Sequence, residues 1–225
     1  MSRHFVREID RLNQHIIEFA DRIDEQVKSS IEAVKNSDKN LAKAVIEGDI
    51  AIDEREIELE EECLKLLALH QPMAADLRLI IAILKINNDL ERIGDHAVNI
   101  AERSLQLADI DSIQFPEEIS TLSKQTVLMF RKSLLALVER DSEIARDVIA
   151  ADSEVDELNR QMHKLVVKRI HEQPQLAEQH ILMLSVCRQL ERIGDHASNI
   201  AEDVVYLLTG DIVRHEEKIA AAQQR

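Results

Sequence analysis

Apolar residues recur at spacings of three and four, as at Leu77, Ile81 and Leu84, through long stretches that are interrupted at few points. That period belongs to amphipathic helices whose apolar stripe faces a core. Pro72, Pro116 and Pro174 each separate two such stretches. Proline fits the first turn of a helix and disfavours helix in the residue before it, so each marks a boundary. With the cap-like pairs Ser37-Asp38 and Asp141-Ser142, the pattern predicts helices over 3–36, 38–70, 73–108, 116–139, 142–172 and 174–208. Asp109 to Phe115 has the character of a linker, Gly210 stops the sixth helix, and 211–225 is a polar tail expected to be partly helical.

The two halves are copies. Leu90 to Glu102 recurs as Leu190 to Glu202 with 12 of 13 residues identical. Upstream the match continues at an offset of 103, where Asp38, Asp49 and Asp53 correspond to Asp141, Asp152 and Asp156. The offset falls to 100 across the next turn, so the first half is three residues longer there. The expected fold is all-α: two tandem, pseudo-symmetric three-helix bundles of six long helices, over 1–110 and 116–210.

Composition narrows the function. The 225 residues include 28 basic and 43 acidic side chains, a formal charge of −15, with five Phe and Tyr and no Trp. Such a chain lacks the basic face and stacking platforms that nucleic acid requires. The longest apolar runs fall far short of the roughly 20 residues of a membrane span, and the N-terminus has no secretory apolar region. Cys63 and Cys187 lie far apart without metal-ligand spacing, which suits a reducing, cytoplasmic setting.

Acidic residues form stripes. On a helix turning about 100° per residue, Glu91, Asp95, Asn99 and Glu102 fall within roughly 80° of one another, and so do Glu191, Asp195, Asn199 and Glu202. Asp49, Asp53, Glu56 and Glu60 make a comparable stripe on the preceding helix, matched by Asp152 and Asp156 with Asn159 and His163 in the second copy. Positions 49 and 95, like 53 and 91, are equidistant from position 72; 152 and 195, like 156 and 191, are equidistant from a point between Gln173 and Pro174. An antiparallel hairpin therefore sets the four acids of each copy at one level. Carboxylates gathered in this way need a positive charge between them, and hard cations with oxygen ligands would supply it. The alternative is a solvated acidic face trimmed by Arg92 and Arg192.

Gly94 and Gly194 each cost a helix interior about 1 kcal/mol relative to alanine, so both copies keep room there for a metal or for close helix packing. His96 and His196 lie about 140° around the helix from the motif Glu and read as interhelical hydrogen-bonding residues rather than ligands. His163 shares the stripe of Asp152 and Asp156 and is a further candidate ligand.

At Glu91 to Asp95 and Glu191 to Asp195, both Glu-Arg-Ile-Gly-Asp, and at Gln71 to Arg78, the sequence resembles the PhoU family over nearly all of 1–208. The resemblance implies two three-helix bundles whose motif acids hold multinuclear clusters of iron, zinc, manganese or magnesium. The candidate metal ligands are accordingly Asp49, Asp53, Glu91, Asp95, Asn99 and Glu102, with Asp152, Asp156, Glu191, Asp195, Asn199 and Glu202. It also implies a regulator that restrains phosphate uptake and the phosphate-starvation (Pho) regulon. Its partners would be the ATPase subunit of a phosphate ABC transporter, a membrane sensor histidine kinase and a second copy in a homodimer.

Gly-rich phosphate loops, G-x-S-x-G and a credible Ser/His/Asp set are missing from the sequence. A non-enzymatic adaptor is therefore expected. The competing reading is a carboxylate-bridged metalloenzyme, a metal-assisted phosphatase or oxidase. The oxidase form is weak, because no histidine has a Glu three residues before it, as ferritin-like di-iron sites do. A bare helical scaffold with decorative acids is the third reading.

Overall fold

The structure, a computed structural model, describes residues 3–110 and 115–213. Most of the linker, 111–114, and the tail from 214 onward lie outside the described residues. Six long helices account for nearly all of the rest: α1 Arg3–Asn36, α2 Lys39–His70, α3 Ala75–Ala108, α4 Glu117–Glu139, α5 Ser142–Glu172 and α6 Ala177–Thr209. Pro174 opens a single 3₁₀ turn, Pro174–Leu176, ahead of α6.

Corresponding turns use the same chemistry. Ser37 and Arg140 take left-handed backbone angles, φ 52° and 53°, at the ends of α1 and α4. The following aspartate amide then bonds back five residues, Asp38 to Ala33 O at 2.9 Å and Asp141 to Ala136 O at 3.1 Å. Each aspartate caps the next helix, Asp38 accepting from Asn40 and Leu41 N–H groups and Asp141 from Glu143 and Ile144. A side-chain cap of this kind is worth about 1 kcal/mol, comparable to the cost of the left-handed residue before it. The α2–α3 turn departs from its counterpart. Gln71 and Ala74 both have positive φ, and α3 starts at Ala75 rather than near 73; each connection is four residues long, 71–74 and 173–176, so the three extra residues of the first half lengthen the facing ends of α2 and α3.

Helices α3 and α6 form the spine. They pack against each other, α1 and α2 flank α3, and α4 and α5 flank α6. The seam between α3 and α6 shows the duplication directly. His96 Nδ1 lies 2.9 Å from Gln189 Oε1, and the equivalent pair, His196 Nδ1 and Asp89 Oδ1, is 2.7 Å apart. Arg103 Nε donates to Ser185 Oγ at 3.3 Å where Lys85 Nζ donates to Asp203 Oδ1 at 3.1 Å. Each of these residues and its counterpart differ by 100 positions, so the helices cross antiparallel about a pseudo-twofold axis. The two histidine rings meet beside it, centroids 5.4 Å apart, in the interhelical role expected of them.

One continuous core runs through both halves, from Phe19 and Ile23 on α1 through Ile83, Leu90 and Ile93 on α3 to Phe130, Leu190 and Val204. Burying such a side chain contributes about 1.5–3 kcal/mol, enough in sum to hold two three-helix units as one body. The α3 core stripe is not the expected one. Leu77 is exposed and Ile81 and Leu84 are half-buried, while Leu79, Ile80, Ile83 and Ile86 are buried. Three helices surround α3, so its apolar residues extend around much of its girth, and the Leu77 side is the one left at the rim.

Candidate metal centres

In the second half, α5 presents Asp152 and Asp156 and α6 presents Glu191 and Asp195. One carboxylate oxygen from each of Asp156, Glu191 and Asp195 lies within 4.8 Å of the other two, the one such group of three His, Cys, Asp or Glu residues among the described residues. Burial pushes the Glu191 carboxyl above its ordinary range, Asp156 and Asp152 push it further, and Arg192 and Arg188 oppose them. Asp195 is raised to about 6 by burial and then by Glu191, Asp152 and Asp156. Three carboxylates from two helices thus converge, and Asp152, outside that trio, adds its charge to Glu191 and Asp195.

The first half gathers the equivalent groups more loosely. Burial raises Asp49, helped by Asp53 and Asp95 and opposed by the Gln26 amide, whose Nε2 donates to Asp49 Oδ1 at 3.2 Å. Glu91 is raised by burial and Asp95, with smaller contributions from Glu56 and Asp53. Arg92 relieves this site: its guanidinium stands 3.4 Å from Glu91 and 3.3 Å from Asp95. The arginine-trimmed reading therefore describes the first copy in part.

Other candidates stand apart from these centres. The Asn99 amide donates to the Asp95 backbone oxygen at 2.8 Å, and Glu102 is half-exposed beside Arg103 at 3.6 Å. Asn199 turns to the seam and donates to Asp89 Oδ1 at 3.2 Å, while Glu202 lies about two turns from Asp195 and outside the convergent trio. His163 is exposed and also outside the trio. The glycines serve packing. A Cβ on Gly94 would lie 3.1 Å from Gln26 Oε1, 3.3 Å from Ile23 Cδ1 and 3.4 Å from Ile52 Cγ2; on Gly194 it would lie 3.3 Å from Val155 Cγ1.

Sequence reasoning overlooked Gln26 and Asn87. Gln26 occupies a buried position of the α1 core stripe, between Ile23 and Ser30, and reaches Asp49 across the helix interface. A glutamine on a mainly apolar stripe was the available signal. Asn87 donates to Glu56 through both its backbone and side-chain oxygens, at 2.9 and 3.1 Å.

The donor set fits a hard cation. Gln26 Oε1 and Asn87 Oδ1, on side chains that bond α2 acids, are buried oxygens with no hydrogen-bond partner among the described residues, and Glu91 Oε2, also buried, faces Arg92 Nε at 3.4 Å. Such atoms are costly unless something positive or a donor meets them. Carboxylate and amide oxygens without thiolate or imidazole suit magnesium, calcium, manganese or iron better than a soft ion.

Fold and site together define a class: a duplicated three-helix-bundle protein with a carboxylate centre between the second and third helix of each copy. The PhoU domain matches twice, at residues 7–104 and 119–204, and the chain belongs to the PhoU family. It is 36% identical to the phosphate-specific transport system accessory protein PhoU homolog 1 of Thermotoga maritima, over 92% of this chain and 90% of that one. It is likewise 36% identical to the phosphate-specific transport system accessory protein PhoU homolog of Pseudomonas aeruginosa, over 96% and 89%. The crystal structure of PhoU from Pseudomonas aeruginosa superposes with a TM-score of 0.89 at 35% identity, covering 92% of this chain and all of that one. The phosphate transport system regulatory protein PhoU from Streptococcus pneumoniae gives a TM-score of 0.87 at 29% identity, over 93% and 99%.

Proposed function

We propose that the chain is a non-enzymatic regulatory adaptor of a phosphate-specific transport system, restraining phosphate uptake and the starvation regulon. The observation that carries this reading is the near full-length match to relatives named as accessory proteins of that system. Its partners in this reading are the ATPase subunit of the phosphate ABC transporter, a membrane sensor histidine kinase and a second copy of itself. Among the described residues no helix is long and apolar enough to cross a membrane, which agrees with action from the cytoplasmic side through protein partners.

In this role the acidic centres hold metal. Asp152, Asp156, Glu191 and Asp195 would bind one ion or cluster, and Asp49, Asp53, Glu91 and Asp95, assisted by the Gln26 oxygen, another. A bound cation neutralises the mutual repulsion and joins α2 to α3 and α5 to α6, fixing the surface offered to partners. Nothing in the site favours the metalloenzyme alternative.

Deleting the gene in its host tests the adaptor role: phosphate uptake and a starvation-responsive reporter should rise in phosphate-replete medium, and a plasmid copy should reverse both. Unchanged uptake and reporter would remove the proposal. Elemental analysis of chelator-free protein tests the metal. About one or more ions per chain is expected, with a clear loss in Glu191→Gln, Asp195→Asn protein of unchanged helicity.

A further inference from the structure

A groove of about 520 Å³ opens between α1 and α4, where the two halves meet away from the spine. This is the size of an ordinary ligand cleft. Ile31, Val127, Leu128 and Phe115 give it apolar walls. Lys28, Lys35, Lys124 and Arg131 line it as well, against a single lining acid, Glu32. Asp24 engages Lys28 and accepts from Arg131 Nε at 3.0 Å at one end. Lys35 and Lys124 have no ion-pair partner among the described residues. On a chain of charge −15, a cleft with four cations and one acid is an outlier.

The apolar surface continues past the groove along α4. Lys124, Leu128, Arg131, Leu135 and Val138 follow one another at spacings of four and three, which places them within roughly 80° on one face about 21 Å long. Leu128, Leu135 and Val138 are 49%, 45% and 49% exposed. Cations and large apolar residues thus alternate along a single exposed stripe. A small anion would engage the lysines and leave this ridge bare. An anionic bilayer would be repelled by a strongly acidic body and would not reach Ile31 and Val127, which are half-buried between the helices. An amphipathic helix satisfies both features, laying its apolar face over Leu128 and Leu135 while its carboxylates reach the lysines on either side.

We propose that the α1–α4 groove and its extension along α4 form a docking surface for an acidic amphipathic helix of a partner protein. This deepens the adaptor reading, on which it rests only for the existence of a protein partner. The net charge of −15 repels an acidic helix over the surface as a whole, and the groove's cations offset that repulsion at this face.

The probe is a fluorescein-labelled peptide of about 20 residues with leucine at helical i, i+4, i+7 spacing and glutamate on its flanks, long enough to cover the ridge. Its anisotropy is measured against the full-length protein beside a lysine-for-glutamate peptide and a scrambled one. The glutamate peptide should bind at least about tenfold tighter than either control, and more weakly as salt rises. Lys35→Glu with Lys124→Glu should weaken it by about tenfold or more, as should Leu128→Asn with Leu135→Asn, without change in melting. Arg160→Glu with Lys164→Glu on α5 should leave it intact. Equal binding of the scrambled peptide, indifference to the Lys35 and Lys124 reversals, or an equal loss in the α5 control overturns the proposal. So does preferential capture by vesicles of phosphatidylglycerol and phosphatidylcholine that depends on the same two lysines. Because peptide binding is read separately from uptake control, failure here leaves the adaptor role standing, and failure of uptake control leaves this result interpretable.

Discussion

Asp195→Asn should stabilise the metal-free protein. Burial and three neighbouring carboxylates raise Asp195 from an ordinary 3.8 to about 6, so the native state holds its proton more tightly than the unfolded chain does. A folded-state value above the unfolded one means a cost to stability that is fully present above pH 6 and is relieved as the pH falls from there toward 3.8. That displacement is nominally about 3 kcal/mol. Asp195 is exposed, however, and solvent screening reduces the figure to about 1 kcal/mol. Urea melts of chelated wild-type and Asp195→Asn protein between pH 4 and pH 8 measure it. The variant should be more stable by about 1 kcal/mol at pH 8, or about 2–4 °C in Tm, with the advantage gone by about pH 4. His96, lowered by burial, titrates with the opposite sign, but it is present in both proteins and cancels in the difference. With metal restored the order should invert, because the variant has lost a ligand. An advantage that is constant with pH, or one that grows toward acid, would refute the reasoning.

Gly48 and Gly94 should respond oppositely to alanine. Gly48 is an exposed helical residue with nothing within 4 Å of an added Cβ, so Gly48→Ala should stabilise by about 0.5–1 kcal/mol in denaturant melts. Gly94→Ala should forfeit that gain to crowding against Gln26, Ile23 and Ile52. Cys63 and Cys187 are fully buried, and burial pushes both thiols up to about 12, so a thiol reagent at pH 8 should label neither until the protein is unfolded. Lys85→Met should cost about 2 kcal/mol in urea melts, since it removes a cation from Asp203, which is 1% exposed.

Most of the helical frame was legible because its punctuation is local. Prolines, the Asp38 and Asp141 caps and the doubled motif act within one turn of where they stand, and helix ends fell within about two residues of expectation, apart from α6, which a 3₁₀ turn at Pro174 delays to Ala177. The approach of Asp156 to Glu191 was legible too, since a tight antiparallel hairpin converts sequence position into height. What depended on a third helix was hidden. Gln26 reaches Asp49 from α1, and Asn199 turns from its own stripe to Asp89 on α3, contacts that no periodicity within one helix encodes. The α3 core face was misjudged for the same reason, because the stripe that is buried depends on where three neighbours lie.

The α3–α6 seam resembles a dimer interface sealed inside a single chain, and its residues show why the two halves are no longer interchangeable. Lys85 meets Asp203 and Arg103 meets Ser185. Two first halves mated in the same geometry would oppose Lys85 to Arg103 twice over, and two second halves would offer Asp203 only a serine. At these positions complementarity is complete only in the mixed arrangement, which disfavours exchange of halves between molecules.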